Sequence, residues 1–333
     1  MAEQHRGSWV LEAFRKMGVD TKRLACELPR ELEQIADYPD TVTPDELNLV
    51  LNTCAEQTGN THFGLHLVEI IPASDLGVFA YLLFNAPTIG EFLTLAARYY
   101  PIFYRGTVLE LRKQRKLSRF VYRRADIPRV SQRHDAEWTL GFFVHSIRSK
   151  LGTDWMPMRV TFQEPEPGDV MELTRFFGTN LVFDYPVNSF EIDASSLDAP
   201  LNESDPHLLK IMMQQADALL QTFAATESIE SHVRLLIMKD IESGPPNAGL
   251  IARQMGMSLS TFKRRLAERK LTFRGLRDAV VGELAKQALV ETDLKISQVA
   301  MQLGYSEVSG FNHAFARLVG QSPREYRRHF RQA

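Results

Sequence analysis

The first two hundred residues carry short runs of apolar residues with the spacing of helices. Thr43 followed by Pro-Asp-Glu supplies an N-cap, an N1 proline and early carboxylates, the pattern that begins a helix. Further along, apolar residues at i, i+3, i+4 and i+7 predict a second amphipathic helix with a buried side made of Ile89, Phe92, Leu93 and Ala96.

Strand patterns are interspersed with these helices. Residues 108–111 and 120–122 flank a polar Lys-Gln-Arg-Lys stretch and predict a hairpin. Residues 158–162 and 188–192 predict further strands, and 138–149 predict a helix. Helices mixed with a few antiparallel strands favour an α+β domain.

A helix with one apolar side is predicted over residues 208–223. Such a helix buries its apolar residues against either the N-terminal core or a second copy of the chain, and the pattern leaves both open. The small and polar residues 224–228 that follow mark the best domain boundary.

The final third of the chain repeats one pattern, over residues 248–273 and 296–323. In each copy an alanine precedes a glycine by four residues, a serine follows the glycine by two, and a helix with an aromatic residue and its apolar i+4 partner comes next. These residues are Ala252, Gly256, Ser258, Phe262 and Leu266 in the first copy and Ala300, Gly304, Ser306, Phe311 and Phe315 in the second.

Each copy has the residues that a helix-turn-helix unit requires. Alanine allows two short helices to approach closely, glycine adopts positive φ in the turn, and serine N-caps the second helix. Between the copies, residues 273–292 predict a helix of about 19 residues and roughly 28 Å, near the roughly 34 Å between successive major-groove faces of B-DNA. One chain is therefore long enough to place both second helices in adjacent grooves.

Charge is divided unevenly along the 333 residues. Residues 228–333 hold 17 basic and 10 acidic residues, a net of +7, whereas residues 1–227 hold 22 basic and 31 acidic residues, a net of −9. A basic C-terminal third beside an acidic N-terminal region suggests that the C-terminal third binds a polyanion. The sequence has no apolar run long enough for a membrane span and no secretory signal, and its two unpaired cysteines fit a reducing cytoplasm.

Other chemistry is weakly indicated. His62 and His66 are spaced i, i+4, as metal ligands on a helix are, but no third ligand is near, so no metal is expected. No phosphate-binding loop, dinucleotide fingerprint or nucleophile elbow is present, so we expect no enzyme activity and no cofactor. Two aromatic clusters could line a small-molecule pocket, although plain core is the favoured alternative: Tyr99, Tyr100, Phe103 and Tyr104, and Trp138, Phe142 and Phe143.

Residues 296–327, ISQVAMQLGYSEVSGFNHAFARLVGQSPREYR, closely resemble the C-terminal signature of AraC/XylS-type transcription regulators. The first copy of the pattern and the helix between the copies match the rest of that domain, so the resemblance covers residues 228–330. Residues 62–100 and 160–193 resemble the N-terminal domain of a subgroup named for arabinose binding. The name does not make arabinose the ligand.

The resemblance and helix geometry together assign DNA contacts to Ser260, Thr261, Lys263, Arg264, Arg265, Ser309, Asn312, His313, Arg317, Arg324, Arg327 and Arg328. Lys263 and Arg264 are expected at the groove or the phosphates, and Arg265 either there or in support of the fold. Asn312 can read adenine through its amide. Relatives more often have arginine at the position of His313, so the second copy is expected to contribute less affinity. Arg324, Arg327 and Arg328 are expected at phosphates, the alternative being a solvated helix.

Three domains follow from this reading. Residues 1–200 form an α+β effector-binding and dimerisation domain, 201–228 a helical linker region, and 229–333 an all-α DNA-binding domain with two helix-turn-helix units joined by a long helix. The implied protein is a cytoplasmic, effector-controlled activator and homodimer whose partners are double-stranded promoter DNA, RNA polymerase and a small-molecule effector. The alternative is a regulator without an effector, whose N-terminal domain serves only dimerisation or protein contacts.

Overall fold

The computed structural model of the chain describes residues 8–28, 42–104, 106–124, 130–201, 204–224, 229–241, 246–305 and 307–331. The chain forms two compact units, the first made of residues 1–124 and 128–225 and the second mainly of residues 226–333. Each unit has hydrophobic clusters of its own.

The described part of the first unit is mostly helical. Its helices are α1 (Ser8–Lys16), α2 (Thr21–Glu27), α3 (Pro44–Thr58), α4 (Phe63–Ile70), α5 (Val78–Phe84), α6 (Ile89–Phe103), α7 (Arg133–Leu151), α8 (Met171–Phe177) and α9 (Pro206–Ala224), with short 3-10 turns at Ala73–Leu76 and Ala194–Asp198. The predicted start of α3 is confirmed, because the Thr43 hydroxyl accepts from the Glu46 amide at 3.2 Å and the Glu46 carboxylate accepts from the Thr43 amide at 2.8 Å.

A five-stranded sheet completes the first unit. Its strands are β1 (Thr107–Arg112), β2 (Leu117–Arg124), β3 (Arg159–Thr161), β4 (Leu181–Val182) and β5 (Asn188–Asp193), in the order β1-β2-β5-β3-β4. The predicted β1–β2 hairpin is confirmed, with Leu109 opposite Tyr122. The expectation of antiparallel strands alone is incomplete, because β3 and β4 run parallel. The chain between them contains α8, a crossover of the kind that parallel neighbours require.

The helix α9 packs on the core of the first unit. Ala216 is buried there, and Met212 and Leu220 lie against the same cluster. The Tyr99 hydroxyl of α6 donates to the Asp217 carboxylate at 2.8 Å. The N-terminal core is therefore one surface that α9 covers, while Ile211 stays about half exposed.

The described part of the second unit is entirely helical. It contains α10 (Ile229–Asp240), α11 (Ala248–Gln254), α12 (Leu259–Glu268), α13 (Phe273–Glu291), α14 (Ile296–Gln302), α15 (Val308–Val319) and α16 (Pro323–Arg331). Two hydrophobic clusters lie within it, one around Phe262 and one around Phe311. The helix α13 contributes Leu276 and Val280 to the first cluster and Ala285 and Leu289 to the second.

Candidate nucleic-acid interface

The first helix pair of the second unit is α11 and α12. Ala252 of α11 is buried, and Gly256 in the turn has φ of 66°, the left-handed conformation that glycine adopts without steric cost. The Ser258 hydroxyl accepts from the Thr261 amide at 3.2 Å and so caps α12, as predicted. Phe262 and Leu266 are buried and fix the helix to its cluster.

The second helix pair, α14 and α15, repeats this geometry. Ala300 is buried, Gly304 has φ of 78°, and Phe311 and Phe315 are buried. The structure places Glu307 at the N-cap of α15, and no side chain caps there. Ser306, the predicted cap, lies outside the described residues.

The face of each second helix opposite its buried residues is exposed. On α12 the exposed side chains are Ser260, Lys263, Arg264 and Arg265, and Thr261 is half-buried. On α15 they are Ser309, Asn312, His313 and Arg317. The buried i, i+4 pairs therefore leave the sequence-predicted contact residues together on one surface of each helix.

Cations are distributed unequally between these two faces. Three follow one another on α12, where Arg264 lies 3.8 Å from Glu268 in an exposed i, i+4 pair. Such an exposed pair is worth little and leaves the guanidinium available. The only residue of α15 with a permanent positive charge is Arg317, whose Nη2 donates to Asp278 Oδ2 of α13 at 2.7 Å.

The three arginines predicted on α16 have different surroundings. Arg324 and Arg328 are exposed. Arg327 is half-buried, and its Nε donates to the Leu289 carbonyl oxygen at the end of α13 at 2.9 Å. Arg327 thus holds α16 against α13, while the other two present their charge to solvent.

Two features near these faces escaped the sequence reasoning. Leu259, the first residue of α12, is 42% exposed beside Ser260, where an apolar side chain can meet the methyl group of thymine. Arg274 and Arg277 stand on α13 beside Asp278. Arg274, Arg277 and Asp278 are spaced i, i+3 and i+4, which places them on one polar side of the helix, and this spacing is the signal in the sequence.

The aromatic residues considered for a pocket pack in the core of the first unit. Tyr99, Tyr100, Tyr104 and Phe143 are almost fully buried, and the Phe120 and Phe143 rings lie 4.8 Å apart. The Phe103 side chain lies outside the described part. These contacts agree with the favoured alternative of plain core.

The two histidines considered for a metal have other partners. His62 Nδ1 lies 3.2 Å from Glu137 Oε1 and its Nε2 lies 2.9 Å from the Asp169 carbonyl oxygen, while His66 Nδ1 lies 3.0 Å from Asn60 Oδ1. The hydrogen bond to the buried Glu137 carboxylate raises the pKa of His62. Both ring nitrogens of His62 are engaged within the fold.

Residues 251–329 match the family described as a helix-turn-helix domain, a match that begins within α11 and ends within α16. The protein is therefore a DNA-binding transcription regulator. Residues 18–201 match the arabinose-binding domain of AraC transcription regulators, N-terminal part. The chain belongs to the AraC family of regulators, with an N-terminal domain of the arabinose-binding type.

Similar proteins cover nearly the whole chain. The ornithine utilization regulator of Pseudomonas aeruginosa is 26% identical over 321 residues, 96% of this chain and 94% of that protein. The regulator VirS of Mycobacterium tuberculosis is 26% identical over 282 residues, 84% and 82% of the two chains. The crystal structure of the regulator CdpR from Pseudomonas aeruginosa is 22% identical, with a TM-score of 0.45 and coverage of 96% and 98%.

These families are regulators, a non-enzymatic class, so the expectation that the chain is not an enzyme is confirmed. Among the helices that the structure describes, none is both long and apolar enough to span a membrane.

Proposed function

We propose that the protein binds promoter DNA sequence-specifically through two helix-turn-helix units, α11–α12 and α14–α15, with α13 as the connector between them. The observation that carries this proposal is the repetition of one turn. In both pairs a buried alanine, a glycine at positive φ and a buried i, i+4 pair leave the opposite face of the second helix exposed. The 19 residues of α13 correspond to roughly 28 Å, which suits adjacent major grooves.

The contact residues have separate roles in this proposal. Lys263, Arg264 and Arg265 supply charge at the groove and the phosphates, and Asn312 and His313 read bases from the second unit. Ser260, Thr261, Ser309 and Arg317 complete the two faces. On α16 we assign phosphate contact to Arg324 and Arg328, which are exposed, and a structural role to Arg327.

We further propose that the first unit senses a small-molecule effector, forms the homodimer and thereby controls activation through RNA polymerase. Support comes from the family of the N-terminal domain and from a relative that is named for ornithine utilization, a metabolic role. The alternative, a regulator without effector, is favoured by the close packing of the aromatic core.

The DNA-binding proposal is tested with the full chain and duplexes from the DNA that flanks its gene. Fluorescence anisotropy should show one duplex bound at least about a hundred times more tightly than scrambled DNA of the same length and composition. Equal affinity for both would refute sequence-specific binding. A melting-temperature screen with small metabolites tests the effector, because a ligand bound only by the folded state raises the melting temperature.

A further inference from the structure

A cluster of three arginines around one carboxylate lies between α13 and α15. Asp278 is 8% exposed, and its carboxylate oxygens lie 2.7 Å from Arg317 Nη2, 3.0 Å from Arg277 Nη2 and 3.8 Å from Arg274 Nε. Three permanent cations against one anion leave the arginine cluster (Arg274, Arg277 and Arg317) with a net charge of about +2 around Asp278.

The arginine cluster borders an open groove of about 340 Å³ between the two helices. Besides the arginine cluster and Asp278, the groove is lined by Tyr305, Gly310 and His313. At Gly310 an added Cβ would have only a Tyr305 ring carbon within 4 Å, so this side of the groove is open to a ligand. The volume is enough for a phosphate group with its attached sugar or a second phosphate.

The exposed parts of the guanidinium groups show what the groove can bind. The side chains of Arg277 and Arg317 are 39% and 55% exposed. Each guanidinium carries five N–H donors, and Asp278 accepts one bond from each of these two arginines. The remaining donors are available for an anion whose oxygens match the planar fork, and phosphate oxygens do so.

Asp278 organises the arginine cluster. A buried carboxylate without partners would be strongly destabilising, so Asp278 holds its two hydrogen-bonded neighbours, Arg277 and Arg317, at fixed places, while Arg274 lies farther away and is exposed. The guanidinium groups are thereby oriented before any ligand arrives, which lowers the entropy cost of binding. Asp278 is a positioning residue here, since it would repel a phosphate that touched it.

We propose that this groove is a phosphate-binding site, and that its ligand is a phosphodiester of the DNA backbone between the two major grooves that α12 and α15 enter. The proposal rests on the proposed function, because a duplex with α12 and α15 in adjacent major grooves would have to run alongside the connector α13. His313, a base-reading residue of that function, lines the same groove. The connector then anchors the duplex as well as spacing the two units.

The site is tested in the full chain with Arg277→Gln, which removes one cation of the arginine cluster. The matched control is Lys286→Gln, which removes one cation from the same helix at a half-buried position that does not line the groove. On the selected duplex, the slope of log K against log salt should fall by about one for Arg277→Gln and by much less for the control. Affinity should fall several-fold for Arg277→Gln alone.

Two further variants keep the test independent of folding. Arg274 is 72% exposed and the most distant of the three from Asp278, so Arg274→Gln should lower the slope without lowering the melting temperature. Arg277→Lys keeps the charge but loses the planar fork, so it should retain the salt slope and still bind more weakly. The proposal that DNA is the ligand would be refuted if Arg274→Gln and Arg277→Gln had the same salt slope as Lys286→Gln.

Melting temperatures measured with inorganic pyrophosphate in the absence of DNA distinguish a free phosphorylated ligand from the DNA backbone. If millimolar pyrophosphate raises the melting temperature of the wild type but not that of Arg277→Gln, while the DNA slopes are unchanged, the groove binds a free phosphorylated ligand. The phosphate site is refuted if Arg277→Gln changes neither the salt slope of DNA binding nor the rise in melting temperature that pyrophosphate causes. Failure of the wild type to prefer any duplex would refute the proposed function separately, and the pyrophosphate measurement would still test the groove.

Discussion

The backbone amide of Tyr305 donates a 2.9 Å hydrogen bond to the carbonyl oxygen of Ala300. The same bond, also 2.9 Å, joins Met257 to Ala252 in the first helix pair. Each bond closes a turn across a glycine at positive φ, Gly304 or Gly256. Because the two turns are closed in the same way, the direction in which the next helix leaves is set by backbone geometry rather than by the differing side chains around it.

Replacing either turn glycine by alanine should destabilise its own helix pair. No atom lies within 4 Å of a Cβ added at Gly256, so the cost there comes from the left-handed backbone alone and should be about 1–2 kcal/mol. Hydrogen exchange of peptides from α11 and α12 measures this local loss. The same experiment on Gly304→Ala should affect α14 and α15.

The control for this prediction is Gly282→Ala in the middle of α13. There the added Cβ would meet Leu318 Cδ1 at 3.5 Å, an ordinary contact, and the backbone is helical. Alanine should be neutral or stabilising by up to about 1 kcal/mol. Equal protection losses at Gly256 and Gly282 would show that positive φ is not the cause.

The two recognition faces should contribute unequally to DNA affinity. Arg264 belongs to a run of three cations on α12, whereas α15 carries His313, the neutral amide of Asn312 and a single arginine, Arg317. We expect Arg264→Ala to weaken specific binding more than His313→Ala at about pH 7.5, because charged donors dominate contacts to phosphates and guanine. Anisotropy titrations on one duplex at fixed salt compare the two. Equal losses would show that the two units contribute equally, and a larger loss for His313→Ala would show that the second unit dominates.

Local patterns predicted much of this molecule. Thr43 and Glu46 specify their helix start, and Phe262 with Leu266 specify the buried side of α12, because capping and helical spacing depend on near neighbours. The parallel pairing of β3 with β4 depends on long-range order in the sheet, and short apolar runs do not encode it.

The same limit applies to the arginines. Arg317 and Arg327 are both basic residues on helices near the C-terminus, and sequence reasoning gave both to DNA. Arg317 bonds to Asp278, 39 positions away, and Arg327 bonds to the Leu289 carbonyl oxygen, 38 positions away. Both partners lie on α13, and only the fold shows that they are near.

Alanine substitutions of the neighbours Arg327 and Arg328 should affect different properties, the stability of the second unit and DNA binding respectively. Arg327→Ala removes a half-buried hydrogen bond to the Leu289 carbonyl and should lower the free energy of unfolding of the second unit by about 1–3 kcal/mol. Arg328→Ala should leave stability almost unchanged and reduce the salt slope of DNA binding by up to about one. Hydrogen exchange of α16 peptides and salt titrations by anisotropy separate the two effects. A loss of stability for Arg328→Ala together with a lower salt slope but unchanged stability for Arg327→Ala would contradict the roles assigned on α16.

A buried carboxylate makes the stability of the first unit depend on pH. Asp135 is 1% exposed and accepts a hydrogen bond from the Tyr122 hydroxyl. Burial raises the pKa of Asp135 to about 6, although the Tyr122 hydroxyl and the positive charge of Arg124 act in the opposite direction. The protonated carboxyl is therefore the form that the fold favours.

The stability that this protonated carboxyl contributes is complete below its ordinary pKa of 3.8 and is lost as pH rises through about 6. Asp135→Asn has no proton to lose, so its stability relative to the wild type should increase by about 2 kcal/mol between about pH 4.5 and about pH 7.5. All three tryptophans, Trp9, Trp138 and Trp155, belong to the first unit, so urea unfolding followed by tryptophan fluorescence reports on it. Tyr122→Phe retains the carboxylate but removes a donor to its charged form, so that variant should lose stability with pH more steeply than the wild type. Parallel stability curves for the wild type and Asp135→Asn would show that Asp135 keeps the same charge throughout this range.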